Sequence, residues 1–416
     1  MRSPRRVVVT GLGVVSPIGI GKVPFWNHLV AGTSGVDYIA AFDAAPYPCR
    51  VAAEVKDFHP TDFMHVRRTK HRGRFSQFAV AAAKLALTDS QLQVERESPE
   101  RVSACIGTAM NGSGDVYESA RTSFDKSGLE GIPVMSGIEY AAHAPVSHVS
   151  VELGLRGQGM TIASACSTGL DAVQWAVSQI KQDKADVVLA GSTEAPVSEF
   201  CFATLCALGA LAKFSDPELA ASRPYDRRRD GLVLGEGSAV CVLESLEHAE
   251  ERNAPIYAEV IGFGTGNEGG FATRTNAAEL ALAEGITLAL KSADRSPNTL
   301  DYINSHGNSL PDYDLVETRA FHRALGPAAY SIPVSSIKSM IGHALGAAAA
   351  FQVAATCLSI QNSIIPPTIN YETPDPDCDL DYVPNIARVS RVRTALINAH
   401  AMGGTHSVLI LGALQR

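Results

Sequence analysis

The feature that most constrains the fold of this chain is an order of strand-like and helix-like segments that occurs twice. Each half opens with an apolar strand and a glycine turn, at 7–13 in the first half and at 256–264 in the second. Alternating strands and helices form layered α/β structures, so the repeat predicts a duplicated α/β fold. No linker separates the halves, residues 1–254 and 255–416, and we expect them to pack as one body. Further strands are predicted at 102–106, 161–163, 186–191, 238–243, 302–304 and 334–338, and helices at 75–89, 173–180, 277–291 and 343–358.

Composition excludes several functional classes. The chain has 416 residues, of which 46% are hydrophobic and only 19% charged, so it buries a large core and is not disordered. A net charge of −8 gives no general nucleic-acid footprint, and no apolar run is long enough to span a membrane. Residues 1–6 lack the apolar core of a signal peptide. The eight cysteines form no CxxC pair, so we expect reduced thiols in a cytoplasmic protein.

The segment around Cys166 predicts a reactive thiol. Small residues at 164–169 lie between the predicted strand at 161–163 and a helix whose apolar residues recur at i, i+3, i+4 and i+7. Unpaired N–H groups at a helix start stabilise a thiolate, so we expect a lowered pKa for Cys166. The alternative is a buried cysteine that serves only as a small apolar residue.

Two histidines complete a candidate constellation, because His306 and His343 occupy equivalent strand ends in the repeat, where open α/β sheets place ligands. A cysteine accepts an acyl group as a thioester, and imidazole N–H groups stabilise an oxyanion or enolate. Lys338 lies five residues before His343, and the glycine-rich turn at 401–405 offers free N–H groups. The alternatives are structural histidines or a metal site, but the spacings fit no common zinc pattern, so we expect no metal.

Nine motifs in order make the chain similar to the elongating β-ketoacyl-acyl-carrier-protein synthases of the thiolase superfamily. The resemblance implies a five-layer αβαβα thiolase fold, usually a homodimer. It implies that Cys166 is the nucleophile, that His306 and His343 serve decarboxylation and condensation with Lys338 in support, and that the N–H groups of Cys166 and Met402 form the oxyanion hole. No cofactor is expected, since phosphopantetheine arrives on the carrier protein. The motifs are VVVTGLGVVSP (7–17), GLRG (154–157), SACSTG (164–169), SRPYD (222–226), RDG (229–231), SHG (305–307), KSMIGH (338–343), PPTIN (366–370) and GGT (403–405).

Several positions depart from the family pattern. Asn308 and Leu310 replace two threonines that bind the pantetheine arm in the family, and Gln352 replaces a glutamate near the lysine. Around the turn that closes the pocket, His400 and Met402 replace family residues ahead of Gly403, and His406 stands where the family has asparagine. The substrate- and pantetheine-binding residues are therefore expected to be Asn308, Leu310, His400, Met402 and Gly403. We expect a specialised synthase of fatty-acid or polyketide chains.

The resemblance predicts decarboxylative Claisen condensation of a Cys166-bound acyl chain with a malonyl thioester on a carrier protein. A thiolase needs a second catalytic cysteine near the C-terminus, and none follows Cys378. Initiating synthases pair histidine with asparagine, and chain-length factors lack the nucleophile. The alternative that remains is an acyltransferase that uses the same thioester without forming a carbon–carbon bond. The expected partners are an acyl carrier protein and a second subunit, identical or related.

The dense basic cluster at 65–74 is the candidate surface for an acidic carrier protein. Family members carry basic residues in this segment, which the resemblance assigns to carrier docking. Near 133–135, where elongating enzymes often have a second basic pair, this chain has Pro-Val-Met. The alternative for the cluster is an ordinary solvated helix face. The candidate docking residues are Arg67, Arg68, Lys70, Arg72 and Arg74.

Overall fold

A computed structural model describes residues 5–70, 72–213, 222–269 and 275–415 of the chain. His71 of the basic cluster lies outside the described residues. The strands are β1 (Val7–Ser16), β2 (Gly19–Ile20), β3 (Asp37–Tyr38), β4 (Val51–Ala53), β5 (Val102–Gly107), β6 (Gly159–Met160), β7 (Val187–Glu194), β8 (Leu234–Gly235), β9 (Gly237–Ser245), β10 (Ala258–Asn267), β11 (Tyr302–Asn304), β12 (Val334–Ser335), β13 (Ile364–Ile365), β14 (Arg388–Val389), β15 (Thr394–His400) and β16 (Thr405–Gly412).

The helices alternate with these strands. They are α1 (Lys22–Ala31), α2 (Val66–Thr69), α3 (Arg74–Ser90), α4 (Asp115–Ser127), α5 (Ser136–Glu139), α6 (Ala144–Leu153), α7 (Thr168–Lys181), α8 (Glu199–Ala207), α9 (Leu246–Glu251), α10 (Thr275–Ser292), α11 (Pro311–Leu325), α12 (Lys338–Ile341) and α13 (Ala348–Asn362). No helix in the described part of the chain is long and apolar enough to cross a membrane.

Each half contributes five strands in the same spatial order. The first half runs β6-β5-β7-β9-β1 and the second runs β12-β11-β15-β16-β10. In both halves the first three of these strands are parallel, and the fourth is antiparallel to its neighbours. A short antiparallel pairing of β1 with β10 joins the two halves. The predicted duplication is confirmed, and the expected boundary at 254/255 falls in the loop between α9 and β10.

Helices complete five layers. Helix α3 packs outside β1 and β9, and α10 packs outside β10 and β16. Helices α7 and α13 pack against each other between the two halves. Gly169 permits their close approach, because a Cβ atom there would lie 2.3 Å from the backbone nitrogen of Ala350. The side chains of β1 are buried throughout, as expected for a strand covered on both faces.

Three sequence predictions of local structure were wrong or incomplete. The strand expected at 161–163 ends earlier, at Met160, and leads into an irregular segment. The strand expected at 334–338 covers only Val334–Ser335, and Lys338 begins the short helix α12. No helix or strand was predicted from the sequence for residues 113–145, which form α4, α5 and the start of α6.

Candidate active site

Cys166 lies on a sharp elbow between β6 and α7, as its flanking residues predicted. Ala165 has a left-handed backbone with φ 51°, and a 3-10 turn over Ala165–Ser167 leads directly into α7. The Thr168 hydroxyl fixes this turn, since it donates to the carbonyl of Ala165 at 2.7 Å and accepts from the N–H of Ser164 at 3.0 Å. The thiol is therefore held at the start of α7, with only 4% of the residue exposed.

The thiol of Cys166 is not acidified in this structure, which corrects the expectation from the sequence. Burial raises its pKa to about 11. The N–H of Met402 and the charge of Lys338 act in the opposite direction and offset part of this effect. The helix start alone does not overcome desolvation, and the protonated thiol is the resting form.

His306, His343 and Lys338 come together beside this elbow. The two imidazole rings lie edge to face with centroids 5.2 Å apart, and each residue is 2% exposed. The Lys338 ammonium donates to the carbonyl of His306 at 2.6 Å. Burial lowers the pKa of both histidines well below the ordinary value, and the charge of Lys338 adds to the effect. Both rings are therefore neutral and each carries one N–H donor.

Two buried carboxylates on α11 hold the loop that carries His306. Glu317 accepts the N–H groups of His306 at 2.7 Å and of Gly307 at 2.9 Å. Asp314 accepts the N–H of Asn308 at 3.0 Å. Burial raises the pKa of Asp314 to about 7. The sequence placed both residues after His306 but gave no sign of these backbone contacts.

Gln352 is the neutral partner of Lys338, where the family commonly has a charged one. Its side-chain oxygen accepts from Lys338 at 3.2 Å. Its amide nitrogen donates to the carbonyls of Asn304, Ser305 and Asn398 at 3.0, 2.8 and 3.2 Å. Burial lowers the pKa of Lys338 to about 8. The amide thus satisfies three carbonyl groups that a carboxylate oxygen would repel.

The structure brings the expected pocket residues to the same region. The Asn308 amide nitrogen lies 3.2 Å from Nε2 of His306, while its oxygen accepts the N–H of Leu310 at 3.0 Å. This orientation makes Nε2 of His306 an acceptor and leaves its proton on Nδ1. Leu310 is half-buried in one apolar cluster with Met402.

The turn between β15 and β16 covers the elbow. Met402 is half-buried, and the exposed Gly403 has φ 101°, a left-handed conformation that favours glycine. His400 is buried at the end of β15, where its ring stacks on Tyr313 with centroids 4.3 Å apart. Its ring lies 6.0 Å from that of His306.

The second half contains an elbow equivalent to that of Cys166, but without a nucleophile. Leu345 has φ 42°, and a 3-10 turn over Leu345–Ala347 leads into α13. Gly346 takes the place of the cysteine and donates its N–H to the buried carboxylate of Glu194 at 3.1 Å. Burial raises the pKa of Glu194 to about 7. The sequence analysis missed Glu194, although the repeat could have drawn attention to it as the last residue of β7.

The basic cluster is smaller at the surface than the sequence predicted. Arg72 is nearly buried and pairs with Glu152 at 3.1 Å. Arg74 forms a 2.7 Å ion pair with the buried Glu236. Arg72 is thus held inside the fold, whereas the Arg74 side chain is 35% exposed and is engaged by Glu236. The remaining candidates are exposed, although Arg68 also pairs with Glu152 at 2.7 Å: Arg67, Arg68 and Lys70.

Comparisons with known proteins agree with this arrangement. The chain matches the β-ketoacyl synthase N-terminal domain over residues 4–249 and the β-ketoacyl synthase C-terminal domain over residues 257–372. It is 44% identical to the tetracenomycin polyketide synthase ketoacyl synthase alpha subunit of Streptomyces glaucescens, over 98% of this chain and 97% of that protein. It is 40% identical to the 3-oxoacyl-acyl-carrier-protein synthase 2 of Coxiella burnetii, over 98% of each.

Solved structures give the same result. A ketosynthase complex with a type II polyketide acyl carrier protein superposes with a TM-score of 0.91 at 36% identity, covering 99% of this chain and 100% of that chain. The ishigamide ketosynthase/chain length factor superposes with a TM-score of 0.92 at 33% identity, with the same coverage.

This chain belongs to the β-ketoacyl synthase family. It has the duplicated five-layer thiolase fold that its motifs predicted. Its activity is that of a ketosynthase, an acyltransferase that condenses a cysteine-bound acyl chain with a malonyl thioester. The predicted activity is confirmed, and the findings support condensation over the acyltransferase alternative that forms no carbon–carbon bond.

Proposed function

We propose that Cys166, His306, His343 and Lys338 carry out this condensation on polyketide intermediates. The observation that supports the proposal is that the elbow of the first half packs on the turn that follows His343, and that Lys338, which donates to the carbonyl of His306, is close enough to act on the thiol of Cys166. Neutral imidazoles in a site shielded from water are suited to stabilise an anion by hydrogen bonding.

In the first step the acyl chain moves from the carrier's pantetheine sulfur to the sulfur of Cys166. The cysteine loses its proton, a new carbon–sulfur bond forms, and the pantetheine thiolate leaves and takes up a proton. The N–H groups of Cys166 and Met402 stabilise the oxyanion of the tetrahedral intermediate. Because the resting group is a thiol with a pKa of about 11, proton removal accompanies the attack on the acyl group.

In the second step a malonyl thioester on the carrier loses CO2. Its carbon–carbon bond breaks, and the electron pair forms an enolate whose oxygen accepts hydrogen bonds from His306 and His343. The enolate carbon then attacks the acyl carbon on Cys166, a carbon–carbon bond forms, and the cysteine sulfur leaves as a thiolate. Lys338 holds the backbone carbonyl of His306 in place and stabilises that thiolate by its charge.

The polar residues around the pocket mouth support a specialised substrate. His400 is an imidazole where the family has an apolar residue, and its ring lies 6.0 Å from that of His306, while Asn308 places an amide beside the His306 ring. The relative of 44% identity is named as part of a polyketide synthase, which agrees with this substrate class. We therefore assign this chain to polyketide extension, with no cofactor beyond the pantetheine arm of the carrier.

The proposed partners are an acyl carrier protein and a second subunit. Exposed Arg67, Arg68 and Lys70 provide positive charge for an acidic carrier. Strand β6 lies at the end of the sheet path and pairs only with β5 within the described residues, which leaves an edge for a second subunit. This subunit is an identical copy or a related chain, as in the ketosynthase/chain length factor structure. All eight cysteines are free thiols, which supports a cytoplasmic location.

Intact-mass analysis tests the site assignment. Wild-type enzyme incubated with acyl carrier gains the acyl mass, and addition of malonyl carrier yields a chain longer by two carbons. Cys166→Ala should gain no acyl mass. His306→Ala and His343→Ala should still be acylated but release CO2 about 10² to 10³ more slowly, as expected for loss of one oxyanion donor.

Two outcomes would contradict the proposal. Decarboxylation at the wild-type rate in either histidine variant would make that histidine structural. Acylation of Cys166 without chain extension by any malonyl carrier would instead support an acyltransferase that forms no carbon–carbon bond.

A further inference from the structure

Three side chains capable of binding metal meet beside the turn that covers Cys166. His400 is the last residue of β15 and pairs directly with His406 on β16. Gly266 of β10 also pairs with His406, and Glu268 lies two residues further along. Because strand side chains alternate between faces, Glu268 is on the same side of the sheet as His406. The three residues therefore converge at the ends of three adjacent strands.

The distances between the polar atoms of these three side chains are close to those needed to bind a small cation. One ring nitrogen from each histidine and one oxygen of Glu268 all lie within 4.8 Å of one another. Nε2 of His406 is 3.1 Å from Oε1 of Glu268, and Nε2 of His400 is 3.9 Å from the same oxygen. Ligands of a tetrahedral zinc ion, bonded at ~2.0–2.1 Å, lie about 3.3 Å apart. Side-chain rotations that move the atoms by about an ångström would suffice.

Each of these three side chains has one buried polar atom without a hydrogen-bond partner in the part of the chain that the structure describes. His400 is 3% exposed, His406 is 0% exposed, and the Glu268 side chain is 5% exposed. Nδ1 of both histidines and Oε2 of Glu268 are buried without a hydrogen-bond partner among the described residues. Buried polar atoms are rarely left unpaired, and an unpaired group is usually satisfied by a bound ion or a water molecule.

The negative charge of Glu268 also favours a bound cation at this place. The ion-pair contacts of Glu268 within the described residues are to these two histidines alone. A buried carboxylate needs a compensating positive charge. Two neutral imidazoles and one carboxylate form the ligand set of several zinc sites that keep a fourth position open.

We propose that Glu268, His400 and His406 bind one divalent zinc ion. This differs from the expectation that the chain holds no metal, which was drawn from the spacings of Cys166 and the two catalytic histidines. The site uses His400 and His406, two of the positions where this chain departs from the family motif. A bound ion would tie the ends of β10, β15 and β16 together around the turn that contains Met402.

The test is zinc binding by the purified full chain. After removal of metal with a chelator, equilibrium dialysis against ZnCl2 should give one zinc per wild-type chain. Glu268→Gln and His406→Asn should each bind at least tenfold more weakly. Cys166→Ser is the matched control, since it removes a thiol from the neighbouring catalytic cluster, and it should bind zinc as wild type does. Zinc should also raise the melting temperature of wild type but not of Glu268→Gln.

X-ray absorption of the zinc-loaded wild type gives a measurement that needs no variant to fold. The expected spectrum shows nitrogen and oxygen ligands with two imidazoles and no sulfur. A sulfur ligand would assign the ion to Cys166 and overturn the proposal. Binding of less than a tenth of an ion per chain, or equal affinity in wild type, Glu268→Gln and His406→Asn, would also overturn it.

Discussion

Replacing Glu317 by glutamine should weaken the hydrogen bonds that hold the loop carrying His306. The carboxylate of Glu317 accepts four hydrogen bonds. Oε1 receives the N–H of His306 and the amide of Asn398, and Oε2 receives the N–H of Gly307 and the hydroxyl of Tyr225. Glutamine has the same shape but carries one NH2 group, so one side of the side chain changes from acceptor to donor.

Neither orientation of the glutamine satisfies the site. With its NH2 group toward Tyr225, the phenol can turn and donate to Ser305, 2.7 Å away, but the N–H of Gly307 then faces a donor. With the NH2 group on the other side, the N–H of His306 faces a donor instead. One orphaned N–H costs about 1–3 kcal/mol, and the remaining bonds weaken by ~1 kcal/mol each because their acceptor has lost its charge. The total loss is about 3–5 kcal/mol.

Urea unfolding and CO2 release from a malonyl thioester measure the two consequences. Glu317→Gln should unfold at clearly lower urea, and its decarboxylation rate should fall more than acylation of Cys166, because the loop carries His306 and not the nucleophile. Glu372→Gln is the matched control, since that carboxylate pairs with Arg228 at an exposed position. A Glu317→Gln variant with wild-type stability and decarboxylation would refute the reasoning.

Three further outcomes follow from burial and charge. Burial lowers the pKa of Lys338 from 10.5 to about 8, so the unfolded chain binds more protons than the folded chain between these values. The free energy of unfolding of wild type should therefore rise by ~3 kcal/mol from pH 8 to 10.5 relative to Lys338→Met; parallel pH profiles would contradict this. Iodoacetamide at pH 7 should modify the half-buried Cys206 before the buried Cys166, because burial raises the pKa of both thiols to about 11 and only Cys206 is accessible; peptide mapping with Cys166 labelled first would contradict this expectation. Arg67→Glu should raise KM for a carrier-bound substrate but not for a pantetheine thioester, whereas Arg72→Glu should lower stability instead; equal losses with both substrates in Arg67→Glu would count against docking.

Sequence patterns correctly predicted those helices and strands in which most side chains are buried. The helix expected at 75–89 is α3 over Arg74–Ser90, and the strand expected at 302–304 is β11 with the same limits. These segments are apolar because they are covered by other layers, so their pattern carries the structural information. Helix α4 lacks this signal, because its aromatic residues Tyr117 and Phe124 remain exposed.

The sequence could not predict contacts between residues that are distant along the chain, or the effects of those contacts on pKa and exposure. The pKa of Cys166 depends on its burial in the folded chain and on the N–H of Met402, which is more than two hundred residues away. The basic cluster looked like one surface because the partners of Arg72 and Arg74 lie far along the chain, on α6 and between β8 and β9. Spacing within a motif carries no information about such contacts.

The duplicated fold also explains why the reaction uses one nucleophile and not two. The elbow of the second half has Gly346 where the first has Cys166, and a Cβ atom there would lie 2.5 Å from a carboxylate oxygen of Glu194. Glu194 is fixed in turn by the hydroxyl of Thr108 at 2.7 Å, and Thr108 directly follows β5. The first half therefore places Glu194, the last residue of β7, against the elbow of the second half. The second half supplies the histidines that act on what binds at Cys166, so each half lacks what the other provides.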